Sequence, residues 1–284
     1  MKNSNTSFSR RSFLGLLAAA PLGAALAGAQ ESSHIPIGLE LYSVRNELKK
    51  DLMGTVEGVG KMGYECVEFY APYYQWTADL AKQVRSKLDA LNVRCYSTHN
   101  DMESFTPDGI SKAIELNQIL GTRHLVMAWP GSPKTVDDWK KIAATLNQAD
   151  DTMKAHNLRA GYHNHQLEWK AVGGEIPLEI LAANTDPGIA LQLDVGTCLE
   201  TGNDPVAWVK KNPGRIKSLH LKDWSPQNGY KVLFGEGEAP WAELLSAAAT
   251  TGGAEYFLIE QEGSRFPEME TVRRCLHAYH AVMG

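Results

Sequence analysis

Short apolar runs alternate along this chain with longer amphipathic stretches. Residues 37–42, 66–70, 94–98, 123–128, 159–163, 190–195, 216–221 and 256–260 each hold a short, largely apolar block. A strand covered on both faces needs such a block, because neither side of its pleat meets water. In between, apolar residues return every three or four positions. Leu48, Leu52, Val56 and Val59 precede Gly63, Leu80, Val84, Leu88 and Leu91 follow Thr77, and Trp139, Ile142 and Leu146 lead towards His156. Trp208 and Val209 behind Asp204-Pro205, Trp241, Leu244 and Leu245 behind Pro240, and Val272, Leu276 and Tyr279 near the C-terminus continue the series. That period is a helix stripe, and the Thr, Asp-Pro and Gly residues are start and stop signals.

Strand, helix, strand with short joints implies right-handed crossovers and a parallel sheet. An open doubly wound sheet shares this alternation, but its first turn carries G-x-G-x-x-G, and Ile37-Gly38-Leu39-Glu40 stands there instead. Eight blocks at roughly 32 residues each predict a closed (β/α)8 barrel, a TIM barrel, in one domain.

The chain opens differently. Ser9-Arg10-Arg11-Ser12-Phe13-Leu14 precedes an apolar run over 14–27, and Ala27-Gly28-Ala29 offers a cleavage site. This reads as a twin-arginine signal over residues 1–29, leaving 30–284 as the barrel. The run is shorter than the ~20 apolar residues of a membrane span. The expected partner of the precursor is therefore the twin-arginine export machinery, and the expected address is the periplasm. Loss of Lys2, Arg10 and Arg11 makes a chain of formal charge -5 more acidic still. Nucleic acid is thereby excluded as an expected partner, since phosphate binding needs a basic surface. Cys66, Cys95, Cys198 and Cys275 form no C-x-x-C pair, and buried free thiols are expected of Cys66 and Cys95.

Barrels of this kind keep their chemistry at the C-terminal ends of the strands. Those ends offer Glu68, His99, His163 and His165, Asp194, His220 with Lys222 and Asp223, and Glu260 with Glu262. A charge behind an apolar strand costs several kcal/mol unless it is paired or metal-bound. Imidazole nitrogen and carboxylate oxygen together suit divalent Mn, Mg, Co or Zn.

Four segments carry a resemblance. Leu191-Gln192-Leu193-Asp194-Val195-Gly196, Leu219-His220-Leu221-Lys222-Asp223, Gly235-Glu236-Gly237-Glu238-Ala239-Pro240-Trp241 and Ile259-Glu260 resemble the last three strands of sugar isomerases and epimerases of the xylose isomerase-like barrels. The resemblance implies that Asp194, His220 and Glu260 are metal ligands. The family's fourth ligand is a Glu on strand five, where this chain has Gly161-Tyr162-His163-Asn164-His165-Gln166-Leu167-Glu168. Strand alternation puts His163 and His165 on one face, so His163 is expected to bind metal and His165 to act as base. Glu260 is the second acid/base candidate. Glu68, His99, Glu168, Lys222 and Trp129 are expected to contact substrate.

A metal-chelated carbonyl lowers the cost of an enediolate. A sugar isomerase or epimerase is the first expectation for a small carbohydrate substrate. A lyase or hydratase acting on keto sugars or 3-keto-glycosides is the second, and a non-catalytic carbohydrate-binding barrel the third.

Overall fold

The protein is described by a computed structural model covering residues 34–283, so the expected export signal lies outside the described residues. Eight strands close into a barrel in chain order: β1 (Ile37–Glu40), β2 (Cys66–Phe69), β3 (Arg94–Asp101), β4 (His124–Trp129), β5 (Arg159–His163), β6 (Ala190–Asp194), β7 (Ser218–Leu221) and β8 (Tyr256–Ile259). Every pairing is parallel, and β1 pairs with β8 to complete the ring. After each strand the chain returns through an outer helix, for example Leu52–Met62, Ala78–Ala90 and Val136–Lys154. The (β/α)8 barrel read from the eight apolar blocks is the fold that forms.

Helix ends fall where side chains satisfy free backbone groups. Thr77 accepts from Leu80 N, and Asp204 from Val206 N and Ala207 N. Thr135 and Asp138 cap each other's backbone reciprocally, and each such cap is worth about 1 kcal/mol. Trp139 and Leu146 of Val136–Lys154 are fully buried against the barrel, each contributing roughly 1.5–3 kcal/mol.

Several strands start or end one or two residues away from the apolar blocks, and three differences have a visible cause. The first strand ends at Glu40 rather than residue 42, because the Glu40 carboxyl accepts Tyr42 N at 3.3 Å and turns Leu41–Val44 into a 3₁₀ turn. The stripe from Leu48 to Val59 splits into Arg45–Lys50 and Leu52–Met62, since Asp51 is extended and caps Gly54 N at 2.9 Å. The third strand runs on to Asp101, held by pairing to β4 as far as Trp129.

Inside the barrel two zones stack. Near the strand starts, Cys66, Tyr256 and Leu258 pack with Tyr96 as an apolar plug separate from the main core. Tyr256 reaches His124 at 3.3 Å, which gives His124 a packing role remote from the strand ends. Two glycines make room: a Cβ on Gly38 would lie 2.4 Å from Cys66 Sγ, and one on Gly161 3.2 Å from Val126. All four cysteines are buried and free. Two residues further along the same inward faces, Glu68 follows Cys66 and Glu260 follows Leu258. There the interior changes from apolar to ionisable.

Candidate functional site

The strand ends bring Glu68, His99, His163, Asp194, His220 and Glu260 together, all buried. The imidazoles of His99, His163 and His220 pack mutually, with ring centroids 4.4–4.9 Å apart. Asp194 also starts the next helix, accepting Thr197 N on Oδ1 at 2.8 Å. Its Oδ2 is left facing inward, 3.2 Å from Lys222 Nζ and 3.8 Å from His163 Nε2.

Gln192 fixes which nitrogens carry protons. Its amide nitrogen donates to Glu68 Oε1 and Ser218 Oγ, both at 3.0 Å, so its oxygen must accept. That oxygen meets His163 Nδ1 at 3.0 Å and His99 Nε2 at 2.7 Å. Both nitrogens are therefore donors. His163 Nε2 keeps a lone pair turned towards Asp194. On the other side, His220 Nε2 meets Glu68 Oε2 at 2.7 Å, and His220 Nδ1 meets Glu260 Oε2 at 2.6 Å.

His163, Asp194, His220 and Glu260 each offer one donor atom, and these four atoms lie within 4.8 Å of one another. Two further groupings, His99 with His163 and His220, and Glu40 with Glu68 and His220, overlap them. The quartet fits a divalent ion on the chemistry of its donors: two imidazole nitrogens, two carboxylate oxygens, and second nitrogens anchored by Gln192 and Glu68. Such anchoring is how metal-binding histidines are held.

Charge is distributed to match. Burial would lower His220, but its hydrogen bonds with Glu260 and Glu68 raise it to about 10. Burial, reinforced by His220 and His99, keeps His163 well below the usual histidine range, hence a neutral imidazole. Glu68 is brought down to about 2 by His99 and His220 against the opposing effect of burial. Lys222 is pushed up by Asp194, Glu260 and Glu262, which outweigh its burial. Glu40 moves the other way: burial and the neighbouring Glu68 and Glu260 raise it well above the carboxylate range.

Above this floor opens a pocket of about 320 Å³, lined by Glu40, Tyr42, Tyr70, His99, His163, His165, Gln166, Lys222, Tyr230, Glu260 and Glu262. His165 stands just beyond β5 with its ring 4.8 Å from that of His163. Glu168 is buried beneath the rim, its oxygens taken by Tyr162 Oη at 2.6 Å and His165 N at 2.7 Å. These two contacts fix the turn that carries His165. Trp129, 56% exposed at the end of β4, is not among the pocket-lining residues. Asp223, noted beside Lys222, turns to cap the loop before Trp241, accepting Gly235 N, Gly237 N and the Trp241 indole.

Sequence reasoning assigned no role to Glu40, Gln192 or Tyr230. The first two were accessible by the rule that flagged Glu68, for Glu40 ends β1 and Gln192 lies two residues before Asp194 on the same face. Tyr230 comes from a loop between β7 and β8, where no periodicity places a side chain.

An inosose dehydratase of Clostridium tetani is 35% identical over 90 residues, 31% of this chain and 30% of the relative. Inosose dehydratase 2 of Bacillus cereus is 27% identical over 146 residues, 45% of this chain and 48% of the relative. The chain thus spans less than half the length of these curated relatives. A solved sugar phosphate isomerase/epimerase from Parabacteroides distasonis superposes with a TM-score of 0.74 at 24% identity, covering 92% of this chain and 98% of that one. The family model described as xylose isomerase-like TIM barrel matches residues 56–278, and the chain belongs to that family.

Proposed function

We propose that this protein is a divalent-metal-dependent isomerase or epimerase of a small carbohydrate, moving a proton at the carbon beside a carbonyl. The supporting observation is that His163, Asp194, His220 and Glu260 bring four donor atoms within 4.8 Å of one another, and that two of them, His163 and Glu260, line one pocket together with His165. When bound, a divalent ion such as Mn, Mg, Co or Zn polarises a carbonyl and so acidifies the neighbouring C–H.

His165 is the base in this reading. Its ring borders the pocket while Glu168 holds its backbone. Protonated His165 returns the proton to the enediolate. Against the effect of burial, Lys222 and His220 hold Glu260 ionised, so that it stands as a second base. Lys222, 3.8 Å from Glu260, offers a cation to a substrate oxygen that gains charge. Glu68 acts through His220 and Gln192, and His99 presents its remaining nitrogen to substrate hydroxyls. The expected twin-arginine signal would place this chemistry in the periplasm, on unphosphorylated sugars.

Elimination from a keto sugar or 3-keto-glycoside is a second reading. It is favoured by the inosose dehydratases among the relatives and by His163 standing where the family's strand-five Glu is expected. Both readings begin with the same proton abstraction.

Incubation in deuterium oxide, with Mn or Zn added, tests them on D-psicose, D-fructose, an inosose and a 3-keto-glycoside. Deuterium beside the carbonyl of a product with an intact skeleton is expected. Loss of water or release of an aglycone would move the assignment to elimination, and no exchange on any substrate would sink both. His163→Ala should weaken metal binding at least ~10-fold. His165→Ala should keep the metal and lose about 10²–10⁴ in turnover.

A further inference from the structure

Glu40 takes no part in the proton transfers above, yet it closes the floor of the pocket. It is fully buried at the last position of β1. Oε1 accepts the backbone N–H of Tyr42. Oε2 is also buried, and among the described residues no partner meets it in hydrogen-bond geometry, while burial, helped by the Glu68 carboxyl beside it, raises the Glu40 pKa. Native proteins rarely leave such an atom unsatisfied, and one that lines a pocket is poised for a ligand. Two residues below on the same face, Gly38 leaves no room for a side chain, since a Cβ there would lie 2.4 Å from Cys66 Sγ.

We propose that Glu40 is a substrate-contacting residue whose Oε2 forms a hydrogen bond with a hydroxyl group of the bound carbohydrate. This rests on the carbohydrate reading above and adds a specificity element to it. A hydroxyl can donate or accept, so it satisfies Oε2 in either protonation state. An analogue lacking that hydroxyl leaves a buried polar atom unpaired, which is the strongest form of discrimination a pocket has.

Titration calorimetry with D-psicose, D-fructose and myo-inositol is the test, applied to the wild type, Glu40→Gln and Glu40→Met. At least one polyol should bind the wild type. Glu40→Met should bind it at least tenfold more weakly while its unfolding midpoint without polyol does not fall. Glu40→Gln keeps the bond to Tyr42 N and should stay within about threefold. A crystal of the wild type soaked in that polyol should place a sugar oxygen in hydrogen-bond distance of Oε2, a readout independent of any variant's folding. Equal affinity in Glu40→Met, or a seated polyol with no oxygen on Oε2, overturns the proposal alone. Failure of the wild type to bind any of the three sinks the carbohydrate reading and this inference with it.

Discussion

The lower and upper halves of the barrel interior are built by the same strands and obey opposite rules. Below, Cys66, Tyr256, Leu258 and Tyr96 fill space with apolar surface. Above, two residues on, Glu68 and Glu260 join His99, His163, Asp194 and His220 in a zone where nearly every side chain is ionisable. The lower zone is held by shape and the upper by charge balance. Stability and chemistry are thus separated along the barrel axis, by about 7 Å for two strand residues.

Cutting the plug gives the largest expected effect. Tyr256→Ala should destabilise by about 3–5 kcal/mol, as large aromatic truncations in cores do, while bound metal measured by elemental analysis stays at wild-type level. A parallel loss of metal would mean the two zones are not separate.

Glu68→Gln probes the upper zone. Removing the charged acceptor of His220 Nε2 should lower metal affinity by about 10–100-fold, read by competition with a chelator. An unchanged affinity would show that the His220–Glu68 contact does not orient the ring towards an ion.

A pH effect confined to the upper zone is the most gradual, small at any one pH step. His220 is raised to about 10 in the folded, metal-free protein, from about 6.5 when unfolded. Its contribution is full below pH 6.5 and is lost as pH rises through 10, at no more than about 1.4 kcal/mol per pH unit. Thermal unfolding of the metal-free protein should therefore weaken across that window. Saturating metal should flatten the slope, since the ion replaces the proton. The same slope with and without metal would place His220 outside the metal's ligand shell.

The barrel was legible because strands buried on both faces must read as apolar blocks, and the count of such blocks sets the closure. The ionisable strand ends were legible for a related reason, for Asp194 and His220 stand where water-excluded strands have no other use for charge. What the sequence concealed lies in side-chain direction. Glu40 looked like a strand interior residue because the turn that ends β1 is made by its own carboxyl. Glu168 looked like another rim acid, and only the fold shows Tyr162 Oη occupying it.

Gln192 has a consequence for the traffic of protons. A primary amide neither gains nor loses a proton in the working range of an enzyme, and the orientation of this one is fixed by Glu68 and Ser218, which both accept from its nitrogen. It joins His99 to His163 as an insulating clamp that conducts nothing between them. His163 is thereby held in one tautomer, with the proton on Nδ1. His165 and Glu260, outside that clamp, both line the pocket.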